Sequence, residues 1–123
     1  MFGLHMAATV FYWYASVPWY DMFMHGLGGV FLAVFTAAFF MRYLWELDRF
    51  ETAVTLLLAV LVLGGMWEYF EYIVQYTVRG SAQLASVSDS ISDMVFDMLG
   101  GIVGTYFVLR LKKRYNSTDE QEQ

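Results

Sequence analysis

Three stretches of this chain are long and apolar enough to cross a lipid bilayer, and that narrows the fold more than any other feature. A spanning helix needs about 20 mostly apolar residues to cross roughly 30 Å of hydrocarbon. Residues 22–43 hold His25 and, at the far end, Arg42 in an otherwise apolar stretch, residues 53–76 carry Glu68, Glu71 and Gln75, and residues 91–109 carry Asp93 and Asp97. A fourth apolar run, residues 2–17, would reach only about 24 Å as a helix and reads as a short first span. It has no preceding basic residue and no following small-residue cleavage site, so it does not read as a signal peptide. Pro18 ends it, with Trp19 and Tyr20 expected as interfacial anchors in a tight turn.

Composition agrees with a lipid-facing surface. Hydrophobic residues make up 59% and charged residues 15%, against about 45–50% and 25% in soluble domains. A soluble enzyme and a disordered chain are therefore excluded readings. A net charge of −5 with only 7 Lys and Arg argues against nucleic acid, which requires a basic face. Cys is absent, so no disulfide, thiolate ligand or thiol nucleophile is available. The expected fold is all-α: an integral membrane four-helix bundle over residues 1–115, followed by a disordered polar tail at 116–123.

Basic residues favour short cytoplasmic loops. Arg42 and Arg49 flank the connection between the second and third spans, and Arg110, Lys112, Lys113 and Arg114 follow the fourth. Only Arg79 falls on the other side. This distribution puts both termini in the cytoplasm.

With that topology the intramembrane polar residues converge in the outer half of the bilayer. Asp21 and His25 open the second span, and Glu68 lies roughly 12 Å in from the outer end of the third. Asp89, Asp93 and Asp97 open the fourth, with Asp97 about 10 Å deep. Spacings of three, four and seven residues keep each set on one helical face. Glycines continue those faces: Gly28 and Gly29, Gly64 and Gly65, Gly100 and Gly104. Small residues let membrane helices approach closely, so the acids should face a packed interior.

An acid at the membrane centre costs about 2.5–3.5 kcal/mol, and several together must be compensated. Asp21 can cap its helix, and Ser90-x-x-Asp93 fits a capping box. Glu68, Glu71 and Asp97 lie beyond capping range. His5 stands alone and reads as structural, and Trp13, Trp19 and Trp45 read as interfacial belt. Two explanations stay open. Oxygen and imidazole donors without thiolate suit a divalent cation such as Mg, Mn, Ca or Zn, with His25, Glu68, Glu71, Asp93 and Asp97 as ligands, Asp21 orienting His25, and Gln75, Arg79 and Asp89 in support. Alternatively, crowded carboxylates share protons.

At these residues the chain resembles the VanZ-like and YjdF-like group of small bacterial and archaeal membrane proteins. The resemblance is carried by Asp21-x-x-x-His25, by Glu71-x-x-x-Gln75 with Arg79 beyond it, and by Asp93-x-x-x-Asp97-x-x-Gly100-x-x-x-Gly104. It covers residues 20–104 and implies a multi-pass envelope protein. The acid at Asp97, where the VanZ-like pattern often has Asn, is similar to the YjdF-like side.

The functional expectation is an outward-facing acidic and His-containing pocket that holds a divalent cation and acts on a lipid or cell-envelope precursor. No nucleophile motif or phosphate loop assigns a reaction. Two other classes compete: a non-enzymatic accessory or assembly subunit, packing on membrane-protein partners or on copies of itself, and a proton or ion relay.

Overall fold

The computed structural model describes residues 18–79 and 87–119. Among them there are four helices and no strand: α1 (Pro18–Phe39), α2 (Met41–Glu46), α3 (Arg49–Arg79) and α4 (Val87–Asp119). The first apolar run at 2–17, with His5 and Trp13, lies outside the described residues. So do the side chains of Gln75, Arg79 and Asp89.

Three helices are long and apolar enough to span a membrane, with candidate spans Trp19–Phe39, Arg49–Val74 and Ser90–Tyr115. They are the three expected from the sequence, with shifted edges. Pro18 begins α1 instead of closing a turn before it, because a first-turn residue needs no N–H and proline's fixed φ suits a helix start. Trp19 and Tyr20 are consequently helical, and Tyr20 is 8% exposed, a core residue and not an interfacial anchor. Likewise α4 begins at Val87, so Ser90 and Asp93 are inside the helix and do not form a capping box. At the other end α4 runs to Asp119, which puts residues 116–119 of the expected tail on the helix. Extending an existing helix adds one backbone hydrogen bond per residue without a new nucleus.

Helix α2 is nearly a continuation of α1. Phe40 leaves helical geometry at φ −101° and ψ 23°, yet its N–H still donates to Thr36 O and its own carbonyl accepts from Leu44 N–H, both at 3.0 Å. The chain turns only at Leu47, which is extended. A reciprocal capping box then starts α3: Asp48 N–H donates to Glu51 Oε2 at 2.9 Å, and Glu51 N–H donates to Asp48 Oδ1 at 2.8 Å.

Helix α4 is the centre of the bundle. Among the three long helices its contact with α1 is the most extensive, that with α3 is second, and α1 and α3 touch each other least. Glycine makes the α1–α4 contact possible. A Cβ built at Gly29 would collide with the carbonyl oxygen of Asp97, and one at Gly100 with the carbonyl oxygen of Gly26. At Gly104 it would lie 2.9 Å from the Ala33 Cβ. Gly101 instead faces Val60 of α3, and a Cβ at Gly26 would meet nothing within 4 Å. Gly65 does not, since its nearest neighbour would be Met94 Cε at 3.9 Å, and Gly28 is only half-buried.

At the basic end a small core of Ala37, Leu44, Leu56 and Val108 closes the bundle. Beside it Lys112 is buried, its Nζ donating to Leu44 O and Leu47 O at 2.6 Å and to Thr52 Oγ1 at 3.0 Å. Trp45 meets Tyr115 edge to face at 6.2 Å between ring centroids. One α4 side chain thus satisfies the carbonyls where the chain turns from α2 into α3.

Candidate functional site

The opposite end of the bundle holds the acids. His25 on α1, Glu68 on α3 and Asp97 on α4 lie six, six and seven residues inside the ends of their spans, about 9–10 Å along each helix. Three helices from separate parts of the chain therefore bring these groups to one level.

His25 is at the middle of the group. Its Nε2 lies 3.9 Å from Asp21 Oδ1, 3.8 Å from Glu68 Oε1 and 3.9 Å from Asp93 Oδ2. Its Nδ1 lies 3.4 Å from Asp97 Oδ1. All four separations exceed the 2.7–3.2 Å of an N–H···O hydrogen bond, the Nδ1 contact by the least. The Nε2 separations are close to the spacing of donors that share one ion, because metal–oxygen and metal–nitrogen distances of about 2.0–2.6 Å place neighbouring ligands about 3–4 Å apart. One donor atom each from Asp21, His25 and Asp93 lies within 4.8 Å of the other two.

Burial distinguishes the members. The side chains of His25, Glu68, Asp93 and Asp97 are 7–12% exposed, whereas Asp21 is 42% exposed. Asp21 therefore marks the mouth, and Asp97 the floor. Glu68 Oε1 is buried with no hydrogen-bond partner among the described residues, and Ser90 lies beside its carboxyl group. An orphaned carboxylate oxygen in a low-dielectric site is costly unless something positive or a proton comes to it.

The floor is built from backbone. A Cβ built at Gly64 would lie 2.7 Å from Asp97 Oδ2, so the carboxyl group rests on α3 where a larger residue would exclude it. Gly29 allows the α1 backbone to press on the Asp97 carbonyl. Of the glycines expected to bring the helices together, Gly29 and Gly64 do so at Asp97 itself.

Of the five residues expected as ligands, His25 and Asp93 bring donor atoms together, with Asp21 as the third member; Glu68 Oε1 lies 3.8 Å from Nε2 but outside that converging group, and Asp97 lies against the other nitrogen of the imidazole. Glu71 is half-buried and outside the group whose donor atoms converge. Asp21, expected only to orient His25, is on the Nε2 side. That exchange was not visible in the sequence, because Asp21 and Asp97 are both one helical turn from a plausible partner and only the ring orientation separates them. Ser90 was missed as a neighbour of Glu68, since its spacing to Asp93 suggested a cap.

A family model for predicted membrane proteins, DUF2238, matches residues 1–114. The chain belongs to the DUF2238 family. The match takes in every residue of the His25 cluster and makes this DUF2238 protein a membrane protein, in agreement with its three apolar helices. Comparison with curated proteins and with solved structures gives no significant match.

Proposed function

We propose that this protein binds a divalent cation between His25, Asp21, Glu68 and Asp93, in a pocket that opens at one membrane face. The observation that carries the reading is the set of 3.8–3.9 Å separations from one imidazole nitrogen to carboxylates on three helices. A bound Mg, Mn, Ca or Zn ion would also give the buried Glu68 oxygen a partner.

We further propose that the pocket faces outward in the plasma membrane of a prokaryote, with both chain termini in the cytoplasm, and that the protein is kin to the VanZ-like and YjdF-like group. The distribution of Lys and Arg supports the orientation. In this arrangement the Asp21 mouth lies near the headgroups, and a cation there would activate water toward a phosphoryl or acyl group of a lipid-linked substrate or envelope precursor. A transmembrane proton relay is less well supported. From Gly26 to Met41, from Thr52 to Trp67 and from Met98 to Leu109, the three spans contain no acid, His, Lys or Arg, so a path would have to cross about 20 Å without a strongly titrating group.

The test is elemental analysis of the detergent-purified protein, before and after stripping and reloading. About one equivalent of metal per chain is expected, with Glu68→Gln and Asp93→Asn variants that fold but do not retain it. A wild-type protein that folds, takes up no added cation and co-purifies with a larger complex would replace this reading with that of an accessory subunit. A folded, metal-free protein alone would point to carboxylates sharing protons.

A further inference from the structure

We propose that Asp97 is the positioning residue of this cation site: it holds His25 in the tautomer that presents the Nε2 lone pair to the other three acids, and thereby makes the site prefer a transition metal over calcium or magnesium. The proposal rests on the cation reading above and goes beyond it in assigning a role to the floor of the pocket.

The two nitrogens of an imidazole point to different sides of the ring, and a carboxylate cannot serve both. Asp97 Oδ1 is on the Nδ1 side at 3.4 Å, and the other three carboxylates are on the Nε2 side. Asp97 cannot readily change sides. Its carboxyl group is backed by Gly64, where a Cβ would lie 2.7 Å from Oδ2 and 3.5 Å from Cγ. Its main chain is pressed against Gly29, and the residue is 5% exposed. It is therefore held from α1 and α3 at once, where three helices meet.

A carboxylate fixed beside Nδ1 favours a proton on that nitrogen and leaves Nε2 as the acceptor. Carboxylate-backed histidines are a recurrent arrangement at metal sites, and losing the backing group typically weakens binding by about 10- to 100-fold. Selectivity follows from the donor set. The imidazole nitrogen is the one donor here that is not oxygen, and nitrogen favours zinc and similar ions, whereas oxygen donors suit calcium and magnesium equally well. Orienting that nitrogen thus sets the preference, and the three carboxylates set the charge.

Two measurements test this. Zinc and calcium titrations of the metal-stripped protein should show tighter zinc binding in the wild type. In Asp97→Asn zinc affinity should fall about 10- to 100-fold with unchanged stoichiometry, while calcium affinity stays as it was. Glu68→Gln, which removes an oxygen donor, should weaken both. Equal losses for both ions in Asp97→Asn, or no loss for either, would overturn the assignment while leaving the cation site standing. A wild type that binds neither ion would overturn both. The second measurement needs no metal. The chain has two histidines, so ¹⁵N-histidine spectra of a His5→Gln background report His25 alone. A neutral ring protonated on Nδ1 is expected, and one protonated on Nε2 would refute the role. Gly64→Ala, which keeps the carboxylate but crowds it, should reduce zinc affinity in the same selective way.

Discussion

His25 and Lys112 are the two residues on which the ends of this molecule depend, and they solve the same problem in opposite ways. Lys112 finds neutral oxygens: two carbonyls at 2.6 Å and a hydroxyl at 3.0 Å. Replacing it with Met keeps the aliphatic stem and removes the donors, leaving Leu44 O and Leu47 O without this partner. A loss of about 1–3 kcal/mol is expected, seen as a lower melting temperature in detergent, with metal content unchanged because the cluster lies at the far end. An unaltered melt would mean that water replaces the ammonium without cost. At His25 the neighbours are carboxylates, and cation uptake there requires a neutral ring and ionised acids. Metal content should therefore fall as the buffer is acidified and recover on return to neutral pH, since protons compete for the same lone pairs. Loading that ignores acid would argue against these ligands.

Among the elements, the α1–α4 seam sets how close the acids can come. Its glycines let backbone meet backbone, so an added methyl group there has nowhere to go. Gly100→Ala would drive a Cβ into the Gly26 carbonyl and should separate the helices at a cost of about 1–3 kcal/mol. Gly65→Ala meets only the flexible end of Met94 at 3.9 Å and should be neutral or slightly stabilising through helix propensity, by at most about 1 kcal/mol. Thermal melts of the two variants in one detergent make the comparison. Equal stabilities would show that the seam is looser than its geometry. The long helices follow a different rule. With 31 and 33 residues, α3 and α4 would extend about 46–50 Å, more than the roughly 30 Å of hydrocarbon, so their ends stand in the headgroup region or beyond.

For the molecule as a whole the two ends differ in charge, and the proposed orientation rests on that asymmetry. Six of the seven basic residues belong to the Lys112 end, and the carboxylate cluster to the other. The absence of cysteine makes single-cysteine reporters simple to interpret. Tyr76→Cys, beyond the α3 span on the acidic side, should react with an impermeant maleimide in intact cells. Glu46→Cys, between the α1 and α3 spans, should react only after permeabilisation. The reverse pattern would turn the pocket toward the cytoplasm and remove outward-facing substrates from consideration.

Hydropathy alone determined that the chain crosses a membrane as helices, and roughly where, because hydrocarbon imposes a length and leaves few backbone solutions. The i, i+4 spacing of Asp21 and His25 and of Asp93 and Asp97 placed each pair on one face, since helical periodicity is a local property. Glycines at 28, 29, 64, 65, 100 and 104 signalled close packing for the same reason, and the tight approaches fall at 29, 64, 100 and 104. The edges were harder to read: Pro18 can either end one helix or begin the next, and Ser90-x-x-Asp93 looks the same as a cap or as two residues of a continuing helix. Only the tertiary structure decided which nitrogen of His25 each acid meets, that Asp97 is backed by Gly64, and that Lys112 binds the carbonyls of the α2–α3 turn across more than sixty residues. Those contacts depend on helix rotation and register, which packing sets between distant parts of the chain and which no local pattern encodes.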